Sequence, residues 1–234
     1  MITRIPPLPP DWPYPLRPGA AATELRAGVA LPGLPGVWNL EAVTGLDLDR
    51  PDGAPLADAF GRGGVLRAGE VVLRPYRRGG LVRHFNPAIY LGPGRFRQEF
   101  LVHRVLWAAG APTVEPLGWA YRRRSWGWEG VFLTRFEPGA SWPHDWPRAG
   151  ALARIAELLR ALSAWGLHAP DLNATNFLLP EAGGLVALDW DGAHWTNPNG
   201  LLERYRARLL RSLRKLGAPG PVLDSINDRN GPFS

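Results

Sequence analysis

Residues 171–191 read Asp-Leu-Asn-Ala-Thr-Asn-Phe-Leu-Leu-Pro-Glu-Ala-Gly-Gly-Leu-Val-Ala-Leu-Asp-Trp-Asp. An acid, Asp171, stands five residues before an amide, Asn176. A second acid, Asp189, follows thirteen residues after that amide, and Asp191 comes two residues later. Phe177–Leu179 and Leu185–Leu188 are short apolar runs around a Pro180–Gly184 turn, which predicts a strand pair. Such a hairpin can bring Asp189 back beside Asn176. If the backbone stays extended, Asp191 faces the same side as Asp189.

Phosphoryl transfer from a magnesium nucleotide needs a set of this kind. One carboxylate orients and deprotonates an acceptor hydroxyl, and an amide and a second carboxylate hold the metal. Asp171 is the candidate acid/base. Asn176 and Asp189 are the candidate ligands of Mg²⁺, a hard cation that prefers oxygen. The Asp171–Asn176 pair taken alone reads as readily as an Asx-capped loop, and Asp189-Trp-Asp191-Gly192 as a strand-end turn. The joint order, preceded by a helix and followed by apolar strands, favours phosphoryl transfer.

The 234 residues suit one large domain or two lobes sharing a cleft, where ligands commonly sit. No apolar run approaches the roughly 18 residues of a membrane span. The proline-rich start lacks the apolar centre of an export signal, so a cytoplasmic location is expected. Cysteine is absent, which excludes disulfides and thiolate metal sites. The net charge is +6, and Lys215 is the only lysine. A basic balance suits anionic partners, although a general preference for arginine explains the charge equally well.

Residues 1–59 hold many Pro and Gly and are expected to form an irregular leader joining the first lobe. Val65–Arg67 and Glu70–Tyr76 read as strands with a turn at Ala68-Gly69. Arg95–Ala109 reads as a helix with Glu99, Val102 and Leu106 on one side. Leu117–Tyr121 and Val131–Leu133 alternate like strands of a hairpin. Leu152, Ile155, Leu159 and Leu162 mark a second helix, closed by Gly166. Leu202, Tyr205, Leu209, Leu213 and Leu216 stripe a third, basic helix over 201–216. The expected fold class is α+β, with a small antiparallel-sheet lobe (60–136), a linker (137–148) and a mainly helical lobe (149–234).

A nucleotide site also needs a cation for the phosphates and an acid to position it. No lysine precedes the linker, so Arg74 is the candidate and Glu99 on the following helix its partner. Arg74 reads equally as an exposed strand residue, and Glu99 as an acid complementing the helix dipole. Gly61, Gly63 and Gly64 can let backbone amides approach phosphates, or simply form a turn.

Several motifs together resemble the 3-deoxy-D-manno-octulosonic acid (Kdo) kinases of the lipopolysaccharide core kinase family. Val72-Leu-Arg-Pro-Tyr-Arg-Arg-Gly-Gly-Leu81 is similar to that family's signature, and Arg97-Gln-Glu-Phe100 to its first helix. Leu133–Ala140 resembles its hinge, Asp171–Leu179 its H-x-D-L-N-x-x-N-x-L-L loop, and Leu209–Leu216 its terminal helix. The resemblance runs from about residue 60 to 217 and implies a bilobal protein-kinase-like fold. It implies an ATP- and Mg²⁺-dependent kinase acting on a Kdo sugar of a lipid A precursor. By position, Asp171 is then the catalytic acid/base, Asn176 and Asp189 the metal ligands, and Arg74 the strand cation paired with Glu99. One departure stands out. The family's histidine two places before the catalytic Asp is Ala169 here, and His168 lies one place early.

An anionic sugar would favour guanidinium donors, and Arg77 and Arg78 are candidates together with Asp191. The basic helix 201–216 can meet acidic lipid headgroups, so peripheral contact with the inner face of the cytoplasmic membrane is one expectation. Trp126, Trp128, Trp142 and Trp146 can stack on sugars or pack the lobes. The expected partners are a nucleotide and a carbohydrate or lipid-linked sugar, with no nucleic acid. Two other readings stay open: a phosphotransferase with a different small acceptor, and a catalytically silent nucleotide-binding scaffold.

Overall fold

A computed structural model describes residues 5–18, 54–56, 64–76, 90–91, 94–124, 127–146, 148–228 and 231–233. The chain divides into two compact units, one of residues 33–104 and 114–137, the other of 1–32, 105–113 and 138–234. The candidate residues Gly61, Gly63, Arg77, Arg78 and Trp126 lie outside the described residues.

The first unit carries a five-stranded antiparallel sheet. Its strands are β1 (Ala54–Pro55), β2 (Leu66–Ala68), β3 (Val71–Pro75), β4 (Pro116–Arg124) and β5 (Gly127–Arg135), in the order β1-β2-β3-β5-β4. The β2–β3 turn falls at Gly69-Glu70, one residue later than the sequence suggests, because Gly69 takes φ +58°, a conformation open to glycine. Alternation along β3 gives each face its role. Leu73 lies with Val71, Leu117 and Leu133 in one apolar cluster. Arg74, opposite Phe132, points to the other face. That face packs Phe96 and Phe100 of α1 (Gly94–Ala108) with Phe132, Trp119, Tyr76 and Tyr90.

Residues Phe96, Glu99, Phe100 and His103 follow the i, i+3, i+4, i+7 spacing of one helix face, and all four are buried. Glu99 therefore sits in the middle of an apolar surface, in the second turn of α1, where the dipole of the first turn no longer explains it.

The second unit is richer in helix. Its main helices are α2 (Ala151–Ala164), α3 (Leu201–Lys215) and α4 (Gly220–Asn227). Short strands accompany them: β6 (Gly139–Ser141), β7 (Leu167–His168), β8 (Phe177–Pro180), β9 (Val186–Ala187) and β10 (His194–Trp195). They form a β6-β8-β9 sheet and a β10-β7 ladder. Of the predicted stripe on α2, Ile155, Leu159 and Leu162 are buried and Leu152 is only partly covered, while Leu158 is buried beside them. In α3 the buried stripe is Leu201, Tyr205, Leu209 and Leu213, a four-residue step along one face, while Leu202 and Leu216 are only partly covered.

The irregular segment 5–18 groups with the helix-rich unit rather than with the sheet. Trp12 Nε1 donates to Ala109 O at 2.7 Å, and Trp165 Nε1 donates to Pro6 O at 3.0 Å. Gly110, at φ +81°, makes room for this segment, since a Cβ there would lie 1.8 Å from Pro15 O. Burial raises the Tyr14 hydroxyl above its ordinary pKa, with Glu157 acting in the same direction. Among the described residues, no helix is long and apolar enough to cross a membrane.

Candidate active site

The loop between β7 and β8 is wired largely by its own polar side chains. Asn173 Nδ2 donates to Asp171 O at 2.9 Å, and Asn173 Oδ1 accepts from Thr175 N at 3.0 Å and from Thr175 Oγ1 at 2.8 Å. A 3-10 turn at Ala174–Asn176 follows, capped by that same Asn173. Asn176 Nδ2 donates to Asp171 O at 3.4 Å, and Thr175 Oγ1, whose single proton goes to the nearer Asn173 Oδ1, lies 3.1 Å from Asn176 Oδ1. The bond from Nδ2 orients the amide and keeps lone pairs of Oδ1 for another partner.

The β8–β9 hairpin pairs Phe177 with Ala187 and Leu178 with Val186. Leu188 N donates to Asn176 O at 2.7 Å, so the residue preceding Asp189 is tied directly to the amide residue. Asp189 then takes φ 63°, alone among the described non-glycine residues in a positive value. Asp tolerates this region better than most residues, and strain of this kind collects at functional sites. Asp191 N donates to Asp189 Oδ1 at 3.3 Å. Because the backbone leaves the extended region at Asp189, the two-residue alternation expected for Asp191 does not apply. Between the two acids, Trp190 is fully buried and donates from Nε1 to Thr113 Oγ1 at 2.9 Å. Thr113 Oγ1 in turn donates to Ala187 O at 2.9 Å, which anchors the turn.

The structure thus brings Asp171, Asn176 and Asp189 onto one hydrogen-bonded hairpin and its preceding loop. Oxygen donors of Asn176 and Asp189 fit a hard divalent cation. Asp171 projects outward, its side chain 53% exposed, and Oδ1 accepts from Arg208 Nη2 at 3.1 Å.

In the sheet unit, Arg74 Nη2 is ion-paired with Glu99 Oε1. The Glu99 side chain is 1% exposed and that of Arg74 28%. The Arg74 guanidinium also lies near the rings of Tyr76 and Phe132. The pair expected from strand and helix therefore forms. Gly64, at φ 114°, precedes β2. Trp142 is buried edge-on against Trp146 and Phe177, so it packs the core and is unavailable for sugar stacking.

Two contributors were not anticipated from sequence. Tyr205 of α3 is buried, donates its hydroxyl proton to Leu167 O at 2.7 Å and accepts from Ala169 N at 2.9 Å. It therefore braces the loop backbone at Leu167 and Ala169. Burial raises its hydroxyl pKa, with the Ala169 N–H partly opposing. The signal was available: a tyrosine within an apolar stripe needs a partner for its hydroxyl. Arg208, one turn further along α3, is the second. His168 has its pKa lowered, first by burial and then by His194, Arg204 and Arg208. Its ring lies 5.2 Å from that of His194, edge to face.

Sequence relatives decide the family. The chain is 35% identical over 178 residues to the 3-deoxy-D-manno-octulosonic acid kinase of Xanthomonas campestris pv. campestris strain B100, covering 70% of this chain and 72% of that protein. The chain belongs to the 3-deoxy-D-manno-octulosonic acid kinase family. The Xylella fastidiosa strain 9a5c member is 34% identical over 157 residues, and the match spans 63% of each chain. The chain thus spans somewhat less than two thirds of that relative's length. No protein-family model matches the sequence. Among solved structures, WbdD bound to the kinase inhibitor LY294002 aligns with TM-score 0.46 at 14% identity, covering 76% of this chain and 40% of WbdD. A divergent Toxoplasma kinase lacking the glycine-rich loop aligns with TM-score 0.42 at 15% identity, over 67% and 57% of the two chains.

Proposed function

We propose that this member of the Kdo kinase family transfers the γ-phosphoryl group of ATP, with Mg²⁺, to a hydroxyl of a Kdo-type sugar on a lipopolysaccharide precursor. The observation that carries the reading is the 2.7 Å backbone bond from Leu188 N to Asn176 O, which ties the main chain of Asn176 to the residue preceding the Asp189 turn. Asp171 points the acceptor hydroxyl and takes its proton as the new O–P bond forms and the bond to the leaving ADP breaks. Asn176 and Asp189 hold Mg²⁺ through oxygen. The metal, when bound, offsets charge on the phosphate oxygens. Arg74, kept in place by Glu99, is the phosphate-binding cation. Its guanidinium keeps the positive charge of the usual lysine but is longer and planar. Gly61, Gly63 and Gly64 supply backbone amides to the phosphates.

Arg204, Arg211 and Lys215 are exposed along α3 at spacings that share a helix side. They suit acidic headgroups around a lipid-linked acceptor, which supports peripheral contact with the inner face of the cytoplasmic membrane.

Transfer of labelled phosphate from ATP to a panel of acceptors, including Kdo-capped lipid A precursor, tests the reading. Asp171→Asn is expected to lower kcat by about 10²- to 10⁴-fold with the thermal transition in place. Full activity in that variant removes Asp171 from the chemistry. No transfer by the wild-type chain to any acceptor leaves only a silent scaffold.

A further inference from the structure

The reading above leaves Arg208 without a task, and its surroundings are unusual. It lies on α3, far along the chain from the Asp171 loop, yet its Nη2 reaches Asp171 Oδ1 at 3.1 Å. Its Nε is buried and finds no hydrogen-bond partner among the described residues. A guanidinium has five donor hydrogens in a planar fork. Leaving a buried donor unmade is unfavourable, so this side chain gains by turning onto another acceptor.

Cationic and polar groups collect on the same side. The β7–β10 ladder sets His168 opposite His194. Arg204 precedes Arg208 by one helical turn, and both act electrostatically on His168. Asp171 is the carboxylate in direct contact with Arg208. Glu203, the acid nearest in sequence on α3, lies with Arg206 instead, at 3.8 Å. The contact between Arg208 and Asp171 therefore has no competing acid from α3 itself. It is also open, since the Arg208 and Asp171 side chains are 34% and 53% exposed.

A hydroxyl oriented by Asp171 lies within hydrogen-bond reach of its carboxylate. Any acid group borne close to that hydroxyl then comes within reach of Arg208. We propose that Arg208, supported by Arg204 and His168, recognises the carboxylate of a sugar-acid acceptor, with the guanidinium fork turning from Asp171 onto that acid group as the acceptor binds. The inference rests on the kinase reading and deepens it by naming a specificity-determining residue. Release of Asp171 from Arg208 would also free a carboxylate oxygen for the hydroxyl proton.

The test measures binding of free 3-deoxy-D-manno-octulosonic acid and of its uncharged amide to the full chain by calorimetry, without nucleotide. The wild type is expected to prefer the acid by about tenfold or more, the scale of a hydrogen bond to a charged group. In Arg208→Gln that preference disappears while affinity for the amide is kept. Arg208→Lys restores part of it. An unchanged acid preference in Arg208→Gln overturns the inference, as does a loss shared equally by acid and amide. Phosphate transfer separates the two levels. If Arg208→Gln leaves KM for the acid unchanged in an active enzyme, this inference falls and the kinase reading stands. If KM for ATP rises instead, the arginine serves the nucleotide and the inference is again wrong. A wild-type chain that neither prefers the acid nor phosphorylates any acceptor removes both.

Discussion

Two arginine–carboxylate pairs share a chemistry and differ in surroundings. Glu99 is enclosed between α1 and the sheet, with 1% of its side chain exposed, whereas Asp171 is 53% exposed beside Arg208. An enclosed carboxylate cannot return to water without unpacking its neighbours, so its partner is in effect obligatory. An open pair is screened by solvent and exchanges readily. Burial thus decides which pair is fixed in the structure and which is open to exchange with other partners. On the proposed reading the Arg74–Glu99 pair serves a second demand as well, because a cation meant for phosphates must be placed before the ligand arrives.

The contrast predicts a ranking of stabilities, which chemical denaturation can measure. Glu99→Ala is expected to cost about 2–3 kcal/mol, below the range for a fully buried pair because Arg74 retains some access to water. A loss under about 0.5 kcal/mol would break the contrast outright, since the enclosed pair would then behave like a surface one. Tyr205→Phe comes next, at about 1–2 kcal/mol, because it leaves the Ala169 N–H and the Leu167 carbonyl short of a partner. This variant sharpens the comparison: the loop's backbone should prove more important for stability than its exposed charges. Asp171→Asn is expected to change stability by no more than about 0.5 kcal/mol, even though it removes most activity. A large destabilisation there would make the open pair a structural one and weaken the case that Arg208 can leave it.

Much of the second unit's site was legible because its signals are local. The spacing from Asp171 to Asn176 and the apolar runs around Pro180–Gly184 already imply a turn and a hairpin, and β8 and β9 form at those places. The pairing of Arg74 with Glu99 was legible for a related reason. A two-residue strand period and a 3.6-residue helix period each nominate a face, and the only acid on the helix's buried face needs a cation. Very short strands were missed. β7 and β10 have two residues each, too few for any periodicity, and exist because the chain on either side brings them together. The brace from Tyr205 was hidden by its own stripe, in which an apolar reading of the ring concealed the hydroxyl.

By itself, the sequence determined the longer strands β2–β5, the β8–β9 hairpin and the helices α1–α3 in their order, the family, and the identity of the two acids and the amide on the Asp171–Asp191 stretch. These depend on local periodicity, turn chemistry and residue type, which act over a few neighbours. Tertiary structure alone decided that Asp189 adopts φ 63°, that the Tyr205 hydroxyl accepts from Ala169 N, and that Arg208 meets Asp171. It also decided that the proline-rich segment 5–18 lies with the helices. The physical reason is common to all four. Which rotation of α3 and which path of an aperiodic segment are adopted depends on packing between elements distant in the chain, where side-chain volume and hydrogen-bond satisfaction are resolved together.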